Sequence, residues 1–275
     1  MNETAAHPAT APINGATELY AIIGDPIAQA KTPALINPLI AATGRNAVLV
    51  PLHVPAADFD TVAPALMKMP NLKGLVITYP FKDRALRLVQ EASRRARAVG
   101  GINAMRRNPD GSWSGDIFDG VGLLNAVAGT CRVNGARVLL IGAGGAGRAI
   151  GVAFAEAAAA EIMVYDVDPA KAQNLVASIT KAFPACRASL GGPAAGGCDI
   201  LINATPVGMA VGDGLPAEVG ALSAGMTVID IVPVTAPTPL MKQAAAAGAT
   251  VIAGKAMTEG QASALLEFFG IDAGA

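Results

Sequence analysis

Three glycines behind a short apolar run are the residues whose types and spacing speak most directly of chemistry. In Arg137-Val-Leu-Leu-Ile-Gly-Ala-Gly-Gly-Ala-Gly-Arg148 a strand-like run enters Gly142, Gly144 and Gly147, and a helix-like segment follows. Such a turn is built to hold a dinucleotide. The first glycine permits the tight turn, the second lets backbone approach a pyrophosphate, and the third lets the helix pack closely on the strand. Gly145 and Ala146 complete the turn, placing the phosphates at a helix N-terminus, where unpaired N–H groups and the helix dipole favour anions. The next apolar run, Glu161-Ile-Met-Val-Tyr-Asp166, closes on a carboxylate at about the twenty-residue offset from which it can accept from a ribose 2′-hydroxyl. Strand, helix and acidic sequel together set this stretch apart from an ordinary glycine-rich turn.

The elements around the turn alternate. Before it, residues 19–24, 47–54 and 74–79 read as strands, 32–44 and 57–69 as helices, and 82–99 as one long helix with its charges on one face. Runs at 102–105 and 112–115 flank Asn108-Pro-Asp-Gly111, a strong turn signal, and predict a hairpin. After it, strands are expected at 137–142, 161–166, 185–189, 199–203, 227–232 and 250–253, helices between most of them, and a final helix at 256–269. Roughly half the chain precedes the glycine turn, enough for a second domain. The expected fold class is therefore α/β with two domains, the second of Rossmann type.

Composition narrows the function classes. With 20 Lys and Arg against 21 Asp and Glu, the net charge of −1 leaves no basic excess for a nucleic-acid partner. Cys131, Cys186 and Cys198 are widely spaced and odd in number, which suits a reducing cytoplasm and shows no zinc spacing; no metal is expected. No apolar run reaches the length of about eighteen residues that suggests a membrane span. Residues 1–17, rich in Ala, Thr and Pro, read as a disordered tail rather than a signal peptide. Only two histidines occur: His7 lies in that tail, and His53, in the apolar run Val48-Leu-Val-Pro-Leu-His-Val54, reads as a partly buried structural residue. Acid and base work should then fall to Lys, Asp, Glu or Tyr.

Polar residues close several strand-like runs in the first half, where ligands bind in open α/β sheets. Their setting resembles the shikimate dehydrogenase family over nearly the whole chain. The matching pieces are Gly24-Asp-Pro-Ile-Ala-Gln-Ala-Lys-Thr-Pro33, Gly74-Leu-Val-Ile-Thr-Tyr-Pro-Phe-Lys82, Gly100-Gly-Ile-Asn103, Gly115-Asp-Ile-Phe-Asp-Gly120, the glycine turn, Asn203-Ala-Thr-Pro-Val-Gly-Met209 and Met257-Thr-Glu-Gly-Gln261. The resemblance implies a substrate-binding domain at 18–119, completed by the C-terminal helix at 255–275, and a Rossmann domain at 120–254 that binds NAD or NADP. It also implies closure of the two around a cleft, with 119–122 as hinge.

By pattern alone Lys82 is a surface lysine at a helix start and Asp119 a helix N-cap. The resemblance makes them the catalytic pair instead. Oxidising an alcohol requires a base for the hydroxyl proton, and a lysine can serve when desolvation favours its neutral amine; a neighbouring carboxylate pulls the other way. The resemblance further assigns Asn103 and Gln261 to substrate hydroxyls, with Thr32 and Thr78 beside them. Asn203 and Thr205 fall on the cofactor side, Gly254 offers backbone to the nicotinamide amide, and Met257 packs near that ring.

Departures from the family pattern gather in the substrate site. Its two serines for the substrate carboxylate are Ala30 and Thr32, an asparagine is Val76, a threonine is Ala104, the Asn-Thr-Asp segment reads Ile117-Phe118-Asp119, and a tyrosine is Pro233. A site that has lost hydrogen-bonding groups loses discrimination for the hydroxyls they met, so shikimate binding should weaken, and a less hydroxylated or bulkier ring, or a different acid altogether, is expected. NADP-using members carry an Asn-Arg-Thr type segment where this chain has Tyr165-Asp-Val-Asp-Pro169, with Lys171 the only nearby cation. Asp166 and Asp168 would repel a 2′-phosphate, so NAD is expected over NADP. The expected activity is reversible hydride transfer between nicotinamide and a ring alcohol of a cyclic hydroxy acid, in a cytoplasmic monomer or homodimer. The alternative is a catalytically silent NAD-binding sensor of the same fold.

Overall fold

The computed structural model describes residues 13–271. The chain divides into two compact units, one ending at Phe118 and resumed from Ala262, the other spanning Asp119 to Gln261.

Unit 1 carries β1 (Glu18–Gly24), α1 (Thr32–Ala42), β2 (Ala47–His53), α2 (Phe59–Leu66), β3 (Leu72–Ile77), α3 (Lys82–Ala85), β4 (Glu91–Ala92), α4 (Arg94–Val99), β5 (Ala104–Arg107) and β6 (Trp113–Asp116). Its sheet runs β2-β1-β3-β5-β6-β4, with β1 parallel to β2 and β3 and with the β5–β6 hairpin antiparallel. Apolar runs make the central strands: Tyr20, Ala21, Ile22 and Ile23 of β1 and Leu75, Val76 and Ile77 of β3 are all buried. Each of these Ile, Leu and Val side chains contributes about 1.5–3 kcal/mol when fully removed from water. On edge strand β2, Pro51 has no N–H to offer an outside strand, which discourages pairing there.

Three expectations need correction in this unit. The long helix expected at 82–99 is two short helices around a strand, because Gln90 and Ser93 donate their backbone N–H groups to Trp113 and Gly115. Pairing with the hairpin thus outweighs local helix propensity, and Ser93 restarts the helix by accepting from the Ala96 N–H. His53 is not the partly buried residue expected: its side chain is 57% exposed on the edge strand, with Nε2 2.8 Å from Asp25 Oδ1. The tail expected at 1–17 falls partly outside the described residues, but its last residues are held, since Thr17 is buried and donates to Asn46 Oδ1 at 2.8 Å.

Unit 2 carries α5 (Asp119–Val127), β7 (Arg137–Ile141), α6 (Gly145–Glu156), β8 (Glu161–Tyr165), α7 (Pro169–Ala182), β9 (Arg187–Leu190), β10 (Ile200–Asn203), β11 (Thr227–Asp230), α8 (Pro239–Ala246), β12 (Thr250–Ala253) and the start of α9 (Lys255–Phe268). All six strands are parallel in the order β12-β11-β10-β7-β8-β9. That is the doubly wound Rossmann order, with its switch point between β7 and β10. Nearly continuous burial along β7, β10 and β11 explains why these strands read as unbroken apolar runs rather than as alternating ones. Among the described residues no helix is long and apolar enough to cross a membrane.

Candidate functional site

In unit 1 the polar residues meet where β1 and β3 end. Gly24 closes β1 so near Thr78 that an added Cβ would stand 2.4 Å from Thr78 Cγ2, and the Asp25 N–H donates to the Tyr79 carbonyl at 3.0 Å. Lys82 opens α3, half-buried, and its carbonyl accepts from Ile102 N–H at 2.9 Å. The Ile77 N–H donates to the Asn103 carbonyl at 2.8 Å, so the end of β3 is tied to Asn103 itself. Backbone pairing thereby brings Asn103 beside the segment that carries Thr78 and Lys82. Thr32 stands at the first position of α1, at the end of the loop that leaves Gly24.

Four of the polar-to-apolar departures are buried in this unit, whereas Pro233 is exposed in unit 2. Val76 pairs with Ala104 across β3 and β5, and both are buried together with Ile117 and Phe118. Phe118 lies 5.3 Å from the Phe268 ring, with the Arg95 guanidinium 5.3 Å from its centroid. Arg95 in turn binds Asp116, Nη2 to Oδ2 at 2.5 Å, and Ser93 also donates to that carboxylate. Asn103 is buried and accepts the Phe118 N–H at 2.8 Å on Oδ1. Ala30 and Thr32 differ from these, being only half-buried.

Unit 2 holds the glycine turn. Gly142 follows β7 at φ +101, a left-handed conformation, with its N–H on the Tyr165 carbonyl at 2.8 Å. A Cβ on Gly147 would stand 1.9 Å from the Gly142 carbonyl oxygen, so only glycine lets α6 start this close to the strand. Gly144 caps α6; added Cβ atoms there and on Gly145 meet nothing, and both residues are exposed, while Ala146 is half-buried. The start of α6 therefore presents backbone to open space, as a phosphate group requires. Asp166, at the end of β8, accepts the Ala143 N–H on Oδ2 at 2.7 Å and the Asp168 N–H on Oδ1 at 2.8 Å. Each carboxylate oxygen has a second lone pair to offer. Asp168 caps α7 through Ala170 N–H and lies 3.7 Å from Lys171 Nζ.

Asn203 is fully buried, and its side chain is taken up within the unit. Oδ1 accepts from Thr205 N–H and Oγ1, while Nδ2 donates to the Val207 carbonyl and to Asp230 Oδ1. It holds the following loop from beneath, and Thr205, half-buried, lies within that loop. Gly254 follows β12 where a Cβ would stand 2.3 Å from the Ile231 carbonyl oxygen, and Met257 is half-buried one turn into α9.

Asp119 and Gln261 come together directly: Gln261 Nε2 donates to Asp119 Oδ1 at 3.2 Å, with Asp119 buried at the start of α5. Glycines overlooked in the sequence make this possible. A Cβ on Gly122 would meet Gln261 Cγ and the Met257 carbonyl at 2.4 Å, and one on Gly260 would stand 2.1 Å from the Gly122 carbonyl. Gly120 and Gly122 both fall in the first turn of α5, each costing about 1 kcal/mol in propensity, and were the signal for such an approach. Asp230 was also overlooked as a site residue, although like Asp166 it closes an apolar strand. Burial pushes its carboxyl above the ordinary carboxylate range, against hydrogen bonds from Thr238, Val232 and Asn203. Among the described residues no group of three His, Cys, Asp or Glu could hold a metal ion.

Comparison with known proteins agrees with both units. Residues 22–105 match the shikimate dehydrogenase substrate binding domain. The shikimate dehydrogenase (NADP(+)) of Rubrobacter xylanophilus is 36% identical over 231 residues, covering 80% of this chain and 78% of its own. Among solved structures, shikimate 5-dehydrogenase from Listeria monocytogenes, in complex with shikimate and NAD, aligns with a TM-score of 0.87 at 27% identity over 95% of this chain and 94% of its own. The 5-ketofructose reductase of Gluconobacter sp. strain CHM43, in ligand-free form, aligns with a TM-score of 0.81 at 28% identity over 92% of each chain. With a substrate half and a Rossmann half each matched in sequence and in fold, the chain belongs to the shikimate dehydrogenase family of oxidoreductases.

Proposed function

We propose that this protein is an NAD-preferring dehydrogenase acting on a ring alcohol of a cyclic hydroxy acid less hydroxylated than shikimate. The observation that carries the reading is the glycine turn with open backbone at the start of α6 and Asp166 at the end of the neighbouring strand, in a chain of this family. Gly142 and the backbone of residues 144–147 would hold the pyrophosphate, and Asp166 the adenosine ribose through its remaining lone pairs. Hydride exchange is the chemistry that a bound nicotinamide supplies. Lys82 takes the proton from the reacting hydroxyl, and Asp119, held by Gln261, assists its transfer. Asn103, Thr78 and Thr32 orient the ring.

The curated relatives are named for NADP. The departure proposed here rests on the carboxylates of Asp166 and Asp168, which would oppose a 2′-phosphate, and on Lys171 already lying beside Asp168. The substrate preference rests on the burial of Val76, Ala104, Ile117 and Phe118 at positions where the family has polar groups. That a 5-ketofructose reductase shares the fold is consistent with a substrate half that accommodates different polyols.

The test is an assay of NADH and NADPH formation with shikimate, quinate and less hydroxylated cyclic acids. A higher kcat/KM with NAD than with NADP, and with a less hydroxylated acid than with shikimate, supports the reading, and Lys82→Ala should then lower turnover by about 10²–10⁴-fold. Undiminished turnover in that variant would remove Lys82 from the chemistry. Tight NAD binding with no turnover on any acid would favour the sensor instead.

A further inference from the structure

We infer that Asp230 is a positioning residue for the nicotinamide half of the dinucleotide, acting through a buried network that ties the loop after β10 to the loop after β11. The inference rests on the dinucleotide reading above.

Asp230 ends β11 directly beside Asn203 at the end of β10, in register, and neither side chain has any exposed surface. Its Oδ1 accepts from Asn203 Nδ2 at 2.9 Å and from Val232 N–H at 3.3 Å, and its Oδ2 accepts from Thr238 Oγ1 at 2.6 Å. Thr238 is itself the N-cap of α8, accepting from Met241 N–H at 3.1 Å. On the other side, Asn203 relays the tie to Thr205 and Val207. One carboxylate therefore fixes the course of residues 203–207, of residues 231–232 and of the start of α8.

Those segments touch the residues that a dinucleotide would meet. A Cβ on Gly142 would lie 2.8 Å from the Ala204 carbonyl carbon and 2.9 Å from Thr205 Cγ2, and one on Gly254 would lie 2.3 Å from the Ile231 carbonyl oxygen. In the doubly wound order the β7-β8-β9 half carries Asp166 and the adenosine, leaving the nicotinamide to the β10-β11-β12 half that Asp230 organises. A buried, fully bonded carboxylate suits this work, because losing it strands one of the two Asn203 Nδ2 hydrogens and the Thr238 hydroxyl away from water.

The experiment compares the Kd of NAD with that of ADP, which lacks the nicotinamide half, by calorimetry on the wild-type chain and on Asp230→Ala, Asp230→Asn and Thr238→Val. Asp230→Ala should weaken NAD about tenfold or more while leaving ADP within about twofold, a selectivity that general loosening of the fold would not produce. Asn can still accept from Asn203 and donate to Thr238, so Asp230→Asn should recover most of the affinity. Thr238→Val should fall between, and it keeps the test open if Asp230→Ala does not fold. Equal NAD affinity in Thr238→Val and both Asp230 variants, or parallel loss of NAD and ADP, would overturn the inference while leaving the dinucleotide reading intact. If the wild-type chain binds neither ligand, the dinucleotide reading fails and this inference with it.

Discussion

The glycine turn of unit 2 and the strand-end cluster of unit 1 are read by different parts of a ligand. In the turn the features that matter are backbone: a left-handed Gly142, a Gly147 that admits no Cβ, and open N–H groups at the start of α6. A side chain added at Gly142 or Gly147 collides with its neighbours, so the pattern is kept whole or lost whole. In unit 1 recognition depends on side chains, and each can change alone. Val76, Ala104, Ile117 and Phe118 occupy polar positions of the family pattern without breaking a strand, because each packs into buried surroundings. The cofactor half is thus constrained by space, whereas the substrate half is free to drift one residue at a time.

Within this comparison, the largest effect on binding should come from Gly147→Ala. Overpacking of 1–3 kcal/mol should weaken NAD binding by up to about a hundredfold, while direct binding of the substrate acid to unit 1 persists. Calorimetry with each ligand separates the two, and unaltered NAD affinity would break the comparison. Next, Asp166→Asn should lower the ratio of kcat/KM with NAD to that with NADP about tenfold, since it weakens a hydrogen bond to a charged group and removes repulsion of the 2′-phosphate. A ratio that stays constant would locate cofactor choice elsewhere. Restoring a family hydroxyl with Ala30→Ser should lower KM for shikimate about two- to tenfold, the worth of one hydrogen bond. This position is half-buried, so the change does not disturb the core.

The smallest effect concerns stability alone. Tyr20 is buried against Phe269, its hydroxyl has no partner among the described residues, and burial pushes its pKa up to about 12. Tyr20→Phe removes an unsatisfied polar group and should raise Tm by about 2–4 °C in a scanning unfolding experiment. Turnover should not change.

Much of the fold was legible as periodicity. The parallel strands of unit 2 are buried on both faces and show up as unbroken apolar runs, and Gly111, with positive φ, closes the hairpin that Asn108-Pro-Asp-Gly111 announces. Residues 82–99 were misread because their helical pattern is real but weaker than the pairing of Gln90 and Ser93 with the hairpin. His53 was misread for a related reason: an apolar run does not reveal that its strand lies at a sheet edge. Asn203 reads from its motif as a cofactor-side residue, but only the neighbouring strand supplies Asp230 and shows where its amide is spent.

The sequence by itself determined the dinucleotide turn, the acidic end of the following strand and the family, since these are written in short, contiguous spacings. Tertiary structure decided which residues stand beside one another. Gln261 reaches Asp119 across 142 positions because Gly122 and Gly260 let two helices touch, and Asp230 meets Asn203 and Thr238 because β10 and β11 pair in register. Such contacts depend on the absence of side chains and on strand order, and neither is a property of any local stretch of sequence.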